Sequence, residues 1–218
     1  MSKVGVILSG CGVFDGSEIQ EASATLIALA QRSVEYQCMA PDCELDVIDH
    51  LTQQPTGEKR NVLTESARIA RGEILNLRDV KGDQYDAFLL PGGFGAAKNL
   101  STFATQGAQC SVNPEVDRVL KEANQAGKPI GFICIAPALG AKVFGDQGVK
   151  VTIGHDSGTA AAVNATGATN VGANADEIVI DDALNIVSTP AYMEAKNPAQ
   201  VFAGISELVE NIVERING

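Results

Sequence analysis

The chain has 218 residues, 45% of them hydrophobic, and a formal net charge of -11. That length and apolar content suffice for one α/β domain whose core needs neither disulfides nor metal, and the acidity argues against binding a phosphate backbone, since such affinity rests on Lys and Arg. Five cysteines at irregular spacings without a C-x-x-C, and only two histidines, suggest no disulfide framework and no zinc site, so a reducing, cytoplasmic setting is expected.

The first apolar run, Val4–Leu8, is too short for a signal-peptide core and far below the roughly 18 residues of a membrane span, so neither export nor a membrane partner is expected. It reads as a buried strand, followed by the loop Ser9-Gly10-Cys11-Gly12 and a helix over Ser17–Ser33. Ser17 with Gln20 three residues on forms a capping-box pattern, which places Glu18 in the first turn. A strand is predicted at Glu35–Ala40. Pro41 to Arg60 is polar without sustained periodicity and reads as an excursion from the sheet.

Beyond it the pattern predicts a helix at Leu63–Ala70, a strand at Ala87–Leu90, a helix at Glu115–Ala126, a strand at Pro129–Ile133 and a helix at Pro137–Val143. A strand at Val149–Ile153, a hairpin of Glu177–Ile180 and Ile186–Ser188 turned at Asp181–Ala183, and a helix at Ala199–Ile216 complete the chain. Apolar runs alternating with helical periodicity are the mark of β-α-β units, hence a mostly parallel sheet in a single domain spanning residues 1–218.

In such a sheet, ligands bind at the carboxyl ends of the strands. The strongest signal there is Gly131-Phe132-Ile133-Cys134-Ile135-Ala136-Pro137-Ala138, where an apolar strand passes straight into a helix. Cys134 then stands on a nucleophile elbow, with the N–H of Ile135 free for an oxyanion hole. A helix N-terminus favours the thiolate and lowers a thiol from ~8.5 to about 3.5–7.5. The competing reading is a buried structural cysteine at a strand end. Pro91-Gly92-Gly93 ends a neighbouring strand and lets backbone N–H groups turn inward, which favours acyl or aldehyde chemistry at Cys134.

His155 follows the strand at Val149–Ile153 and is either a site residue or a surface loop residue; His50, in the polar excursion, is expected to be exposed. Cys11 is either a second thiol of the pocket or a packing residue, while Cys38, Cys43 and Cys110 have no activating neighbours in sequence. Gly10-Cys11-Gly12 lacks the later glycine of a dinucleotide fingerprint, and no P-loop is present.

Four segments together resemble one family: Gly5 to Glu18, Leu90 to Ser101, Gly131 to Ala138, and Thr189-Pro190-Ala191-Tyr192-Met193. In order and spacing the chain is similar to the PfpI, class I glutamine amidotransferase-like superfamily, and within it to the ElbB ("enhancing lycopene biosynthesis") branch, whose members are described as glyoxalases. The resemblance implies a flavodoxin-like three-layer sandwich, a homodimer, Cys134 as nucleophile and Glu18 as its carboxyl partner, against the plainer reading of Glu18 as a dipole-complementing acid. Some superfamily members pair the elbow cysteine with a histidine about as far downstream as His155. The late His-x-Glu pair of true glutamine amidotransferases has no counterpart after His155, which argues against glutamine hydrolysis. The family name suggests isoprenoid synthesis, which no residue here explains.

The implied activity is a slow, glutathione-independent and cofactor-free glyoxalase acting on small α-oxoaldehydes such as methylglyoxal or glyoxal. Cys134, Glu18 and His155 are the candidate catalytic residues; Gly92, Gly93 and Ile135 are the candidate oxyanion donors. The small aldehyde is the expected partner, with no nucleic acid and no membrane. The alternatives are a deglycase or hydrolase of thiol-bound adducts, and a redox-sensing or chaperone-like dimer whose Cys134 is oxidised.

Overall fold

The computed structural model describes residues 2–218. The main sheet has seven strands in the order β10-β11-β7-β6-β1-β2-β5: β1 (Lys3–Ile7), β2 (Glu35–Ala40), β5 (Ile74–Asn76), β6 (Ala87–Leu90), β7 (Ile130–Ile133), β10 (Val179–Asp181) and β11 (Ile186–Thr189). Every pairing is parallel except β10 with β11, the hairpin expected from sequence, which pairs Ile180 with Val187.

Period-two alternation in β1 sends Val4, Val6 and Leu8 into one core and Ile7 into the other. The first core is closed by α1 (Ile19–Gln31) and α8 (Pro198–Asn217), through Ala22, Ala28 and Leu29 against Val201, Ile205 and Leu208. The second is closed by α5 (Pro114–Gln125) and α6 (Ala136–Phe144), through Val116, Leu120, Leu139 and Phe144. The result is the three-layer α/β sandwich that the resemblance implies. Pro114, Pro137 and Pro198 all sit in first turns, where a missing N–H costs nothing, and Asn113 and Asn197 cap their helices through side-chain oxygens.

Three expectations change. The segment read as irregular forms the antiparallel ribbon β3 (Glu44–Asp49) and β4 (Gln54–Asn61), followed by α2 (Val62–Ile69). Every residue of β4 up to Arg60 is exposed, so its pairing rests on the backbone and leaves no apolar alternation to read. Its base is anchored by Leu45 on Ala40 and Val62.

The strand expected at Val149–Ile153 shrinks to β8 (Lys150–Val151). It pairs with β9 (Thr169–Asn170), beyond α7 (Ser157–Asn164), and lies outside the main sheet. Its apolar residues are buried against α6 and α7, which is burial without membership of the sheet.

Helix α1 is capped by Glu18 rather than Ser17. The Ser17 hydroxyl is already engaged, accepting from the Ser9 N–H at 2.9 Å and lying 3.2 Å from the Ser9 hydroxyl.

Candidate active site

Cys134 follows β7 with φ at 62°, a left-handed conformation that a non-glycine residue adopts only where its surroundings enforce it. Here its N–H donates to Thr189 O at 2.9 Å, and the chain turns immediately into α6. The thiol is thereby lifted above the sheet edge as an elbow, with the residue 7% exposed. The N–H groups of Gly93 and Ile135 are directed at it.

The carboxyl facing the thiol is that of Glu21, and Glu21 is fully buried. One of its oxygens accepts from the Gly92 N–H at 3.1 Å and the other from the Tyr192 N–H at 3.2 Å. With both oxygens serving as acceptors of backbone N–H groups, the edge of the carboxyl that faces Sγ exchanges a hydrogen bond with the thiol. A carboxylic acid meets all three demands together. An ionised carboxylate can only accept from the thiol S–H, a protonated carboxyl can donate to a thiolate, and an amide would set its NH₂ against one of the two backbone N–H groups.

Burial and the Glu18 charge push the Glu21 carboxyl up to about 8, against the two N–H donors and the thiol. The expectation of a thiol lowered by its helix N-terminus is corrected. Burial, then the neighbouring Glu21, drive Cys134 upward, and the Gly93 and Ile135 N–H groups only partly oppose this. The two groups face each other out of water and titrate as a coupled pair, each holding its proton above the range it would show alone.

Glu18 lines the same cavity, but it is the cap of α1, accepting from the Glu21 N–H at 2.7 Å. Burial raises its pKa, against the N–H groups of Glu21, Gln20 and Ile19. Cys134, Glu18, Gly93 and Ile135 thus share one cavity of about 540 Å³, walled further by Val13, Gln20, Phe94, Thr159, Tyr192 and Met193.

Two expected site residues, Gly92 and His155, are placed differently, and Cys11 is no thiol of this pocket. Gly92 spends its N–H on Glu21 and so is no oxyanion donor. Its role is spatial, because a Cβ there would lie 2.4 Å from Cys134 Cβ and 2.7 Å from Glu21 Oε2. His155 does not line the cavity; its side chain is 56% exposed and pairs through Nδ1 with Glu194 at 3.2 Å. The reason is the displacement of β8 from the sheet, which carries His155 away from the strand ends. Cys11 lines a separate cavity of about 130 Å³ with Asp15, Glu65 and His50, and His50 is exposed as expected while accepting from the Phe14 N–H.

Glu21 is the residue that sequence reasoning missed. A signal was available: it shares the stripe of Ala22, Thr25, Ala28 and Leu29, so an acid stands on the buried face of α1. The loop between β1 and α1 is clamped over the site by the segment after β6. Gly95 N–H donates to Gly16 O, Phe94 N–H to Val13 O, and the Asn99 amide to Ser9 O and Asp15 O.

No family model matches the chain. It is 50% identical to the Homo sapiens glutamine amidotransferase-like class 1 domain-containing protein 3, mitochondrial, covering 98% of this chain and 83% of that protein. It is 48% identical to the Rattus norvegicus ES1 protein homolog, mitochondrial, covering 98% and 84%. Among solved structures, an isoprenoid biosynthesis protein with an amidotransferase-like domain from Ehrlichia chaffeensis superposes with a TM-score of 0.93 at 36% identity, covering 99% of both chains. DJ-1 of Schizosaccharomyces pombe superposes with a TM-score of 0.59 at 19% identity over 99% of this chain and 95% of that one, a likeness of fold. The cytoplasmic expectation is corrected by these relatives, since the human and rat proteins are both mitochondrial. By sequence over almost its whole length, and by a fold shared with DJ-1 and PfpI-type proteins, the chain belongs to the glutamine amidotransferase-like class 1 family.

Proposed function

We propose that this protein is a glyoxalase of the ElbB branch that converts α-oxoaldehydes to α-hydroxy acids through a hemithioacetal on Cys134. The observation that carries the reading is the fully buried Glu21, whose carboxyl faces a thiol on a strained elbow while two N–H groups face the same sulfur. The 36% identity with the Ehrlichia isoprenoid biosynthesis protein over 99% of the chain supports the branch.

In this reading Sγ attacks the aldehyde carbon, the carbonyl pair moves to oxygen, and the Gly93 and Ile135 N–H groups share their hydrogen bonds with that oxygen before it is protonated. Glu18, on the cavity wall, removes the hydrogen of the former aldehyde carbon as a proton and returns it to the adjacent carbon through an enediol. The aldehyde carbon is oxidised and its neighbour reduced within one molecule, leaving an α-hydroxy thioester. Water then adds to the thioester carbonyl, the S–C bond breaks and the thiolate returns. Redox balance is internal, so no external oxidant or reductant enters.

The test is lactate formation from methylglyoxal at catalytic protein concentration by the wild type and by Cys134→Ala. Many lactates per chain, abolished in Cys134→Ala, are expected. Less than one equivalent per chain, or an unaffected Cys134→Ala, would mean that the thiol traps aldehydes and does not turn them over.

A further inference from the structure

The cavity at Cys134 is far larger than methylglyoxal needs, for about 540 Å³ falls in the roughly 300–1,000 Å³ range of pockets that take drug-sized ligands. It does not end at the thiol. Phe94, Ile135 and Thr159 also line a second cavity of about 360 Å³, which continues over Phe103 and Ala162. Together the two make a trench leading away from the sulfur, with Phe94 as a wall that is 47% exposed.

The chemistry of the lining is one-sided. None of the lining residues of either cavity is Lys, Arg or His, and the sole ionisable carboxyl, Glu18, sits at the thiol end. Lys98, nearest in sequence to the Phe94 wall, is tied down elsewhere, donating to Phe14 O at 3.0 Å with its ammonium 5.1 Å from the Phe94 ring centre. A phosphate or carboxylate would lose its water there and gain no cation. An apolar chain would exchange water for Phe94, Ile135 and Phe103.

We infer that the substrate of this site is an uncharged α-oxoaldehyde with an extended apolar tail, its carbonyl at Cys134 and its tail along the trench past Phe94 and Ile135 toward Ala162. This rests on the glyoxalase reading for the head group and on the trench alone for the tail. Methylglyoxal is then a truncated substrate that leaves most of the binding surface unused.

The experiment is kcat/KM for methylglyoxal, butylglyoxal, hexylglyoxal and a carboxy-terminated analogue of hexylglyoxal, together with the affinity of Cys134→Ala for methyl hexyl ketone and for octanoate. A rise of about fourfold per methylene is expected from the burial of each CH₂, with a fall of about tenfold or more for the carboxylate. Ala162→Asp, which places a charge in the distant half of the trench, is expected to lower the ratio of hexylglyoxal to methylglyoxal turnover about tenfold or more.

A flat series in which methylglyoxal still turns over would overturn the tail and leave the glyoxalase reading standing. No turnover of any member would overturn the glyoxalase reading, and the trench is then judged on binding alone: ketone preferred over octanoate supports it, and no preference sinks it. If sedimentation finds a dimer that Ala162→Asp splits while the series stays flat, the trench is a contact between copies and the proposal fails.

Discussion

Glu21 and Cys134 meet over the bare α-carbon of Gly92: the position a Cβ would take there lies 2.7 Å from Glu21 Oε2 and 2.9 Å from Cys134 Sγ. The acid and the thiol are partners because nothing separates them, and each is out of water. Burial raises both, and each shifts the other, so neither group behaves as it would alone.

The two carboxyls are expected to divide the work, Glu21 setting the thiol and Glu18 moving the proton. Thiol alkylation followed against pH is expected to rise only above the range of an ordinary cysteine, because burial and the neighbouring Glu21 hold the thiol protonated. Glu18→Gln acts on this profile only through the loss of its charge beside Glu21, yet should lower turnover by roughly 10²-fold or more, the usual worth of a proton carrier. Glu21→Gln should alter the alkylation profile itself. An unchanged profile in Glu21→Gln would remove Glu21 from the chemistry.

Stability should carry the mark of the same carboxyl. Its folded pKa, about 8, lies above the unfolded value near 4.5, so the folded state binds the extra proton between these limits. The contribution is therefore fully present below about pH 4.5 and is lost as pH rises toward 8, at up to ~1.4 kcal/mol per pH unit. Urea unfolding at intervals across that window measures the slope. Glu21→Gln should flatten it, while leaving one backbone N–H unpaired at a cost of about 1–3 kcal/mol.

Gly92→Ala should be among the most damaging single-methyl changes in the protein. The added carbon has Cys134 Cβ at 2.4 Å, and the strained elbow beside it cannot yield cheaply. Overpacking of this kind costs about 1–3 kcal/mol, and here it also drives apart the acid and the thiol. A Tm equal to wild type with full thiol reactivity would show that the site is looser than its geometry.

His155→Ala is expected to leave kcat/KM nearly unchanged and to cost no more than about 1 kcal/mol, because its pair with Glu194 is exposed. Glu194→Ala should cost more, since the same carboxylate also accepts the His155 N–H at 2.6 Å and holds the turn. A loss of activity in His155→Ala that spares the fold would restore the histidine to the mechanism.

Local pattern alone specifies the layered architecture, the places of the main strands along the chain except β5, and the elbow at Cys134. Each of these is written in local pattern: apolar runs of strand length, proline in first turns, and a strand entering a helix without a linker. The β3–β4 ribbon was illegible because its exposed strand is held by backbone pairing alone. The displacement of β8 was illegible because burial against helices and burial within a sheet favour the same apolar residues.

Which carboxyl meets the thiol is a matter of tertiary packing. Glu18 and Glu21 are three residues apart at the start of α1, and on a helix such residues share a face. The choice between them depends on where the helix begins. That point is set by Ser9, eight residues before Ser17, which engages the hydroxyl that sequence assigns to the cap. With the cap moved to Glu18, Glu21 turns inward under Gly92 and Tyr192, and its N–H partners come from two distant strand ends. Helical periodicity is a local property; the phase of this helix against the sheet is not.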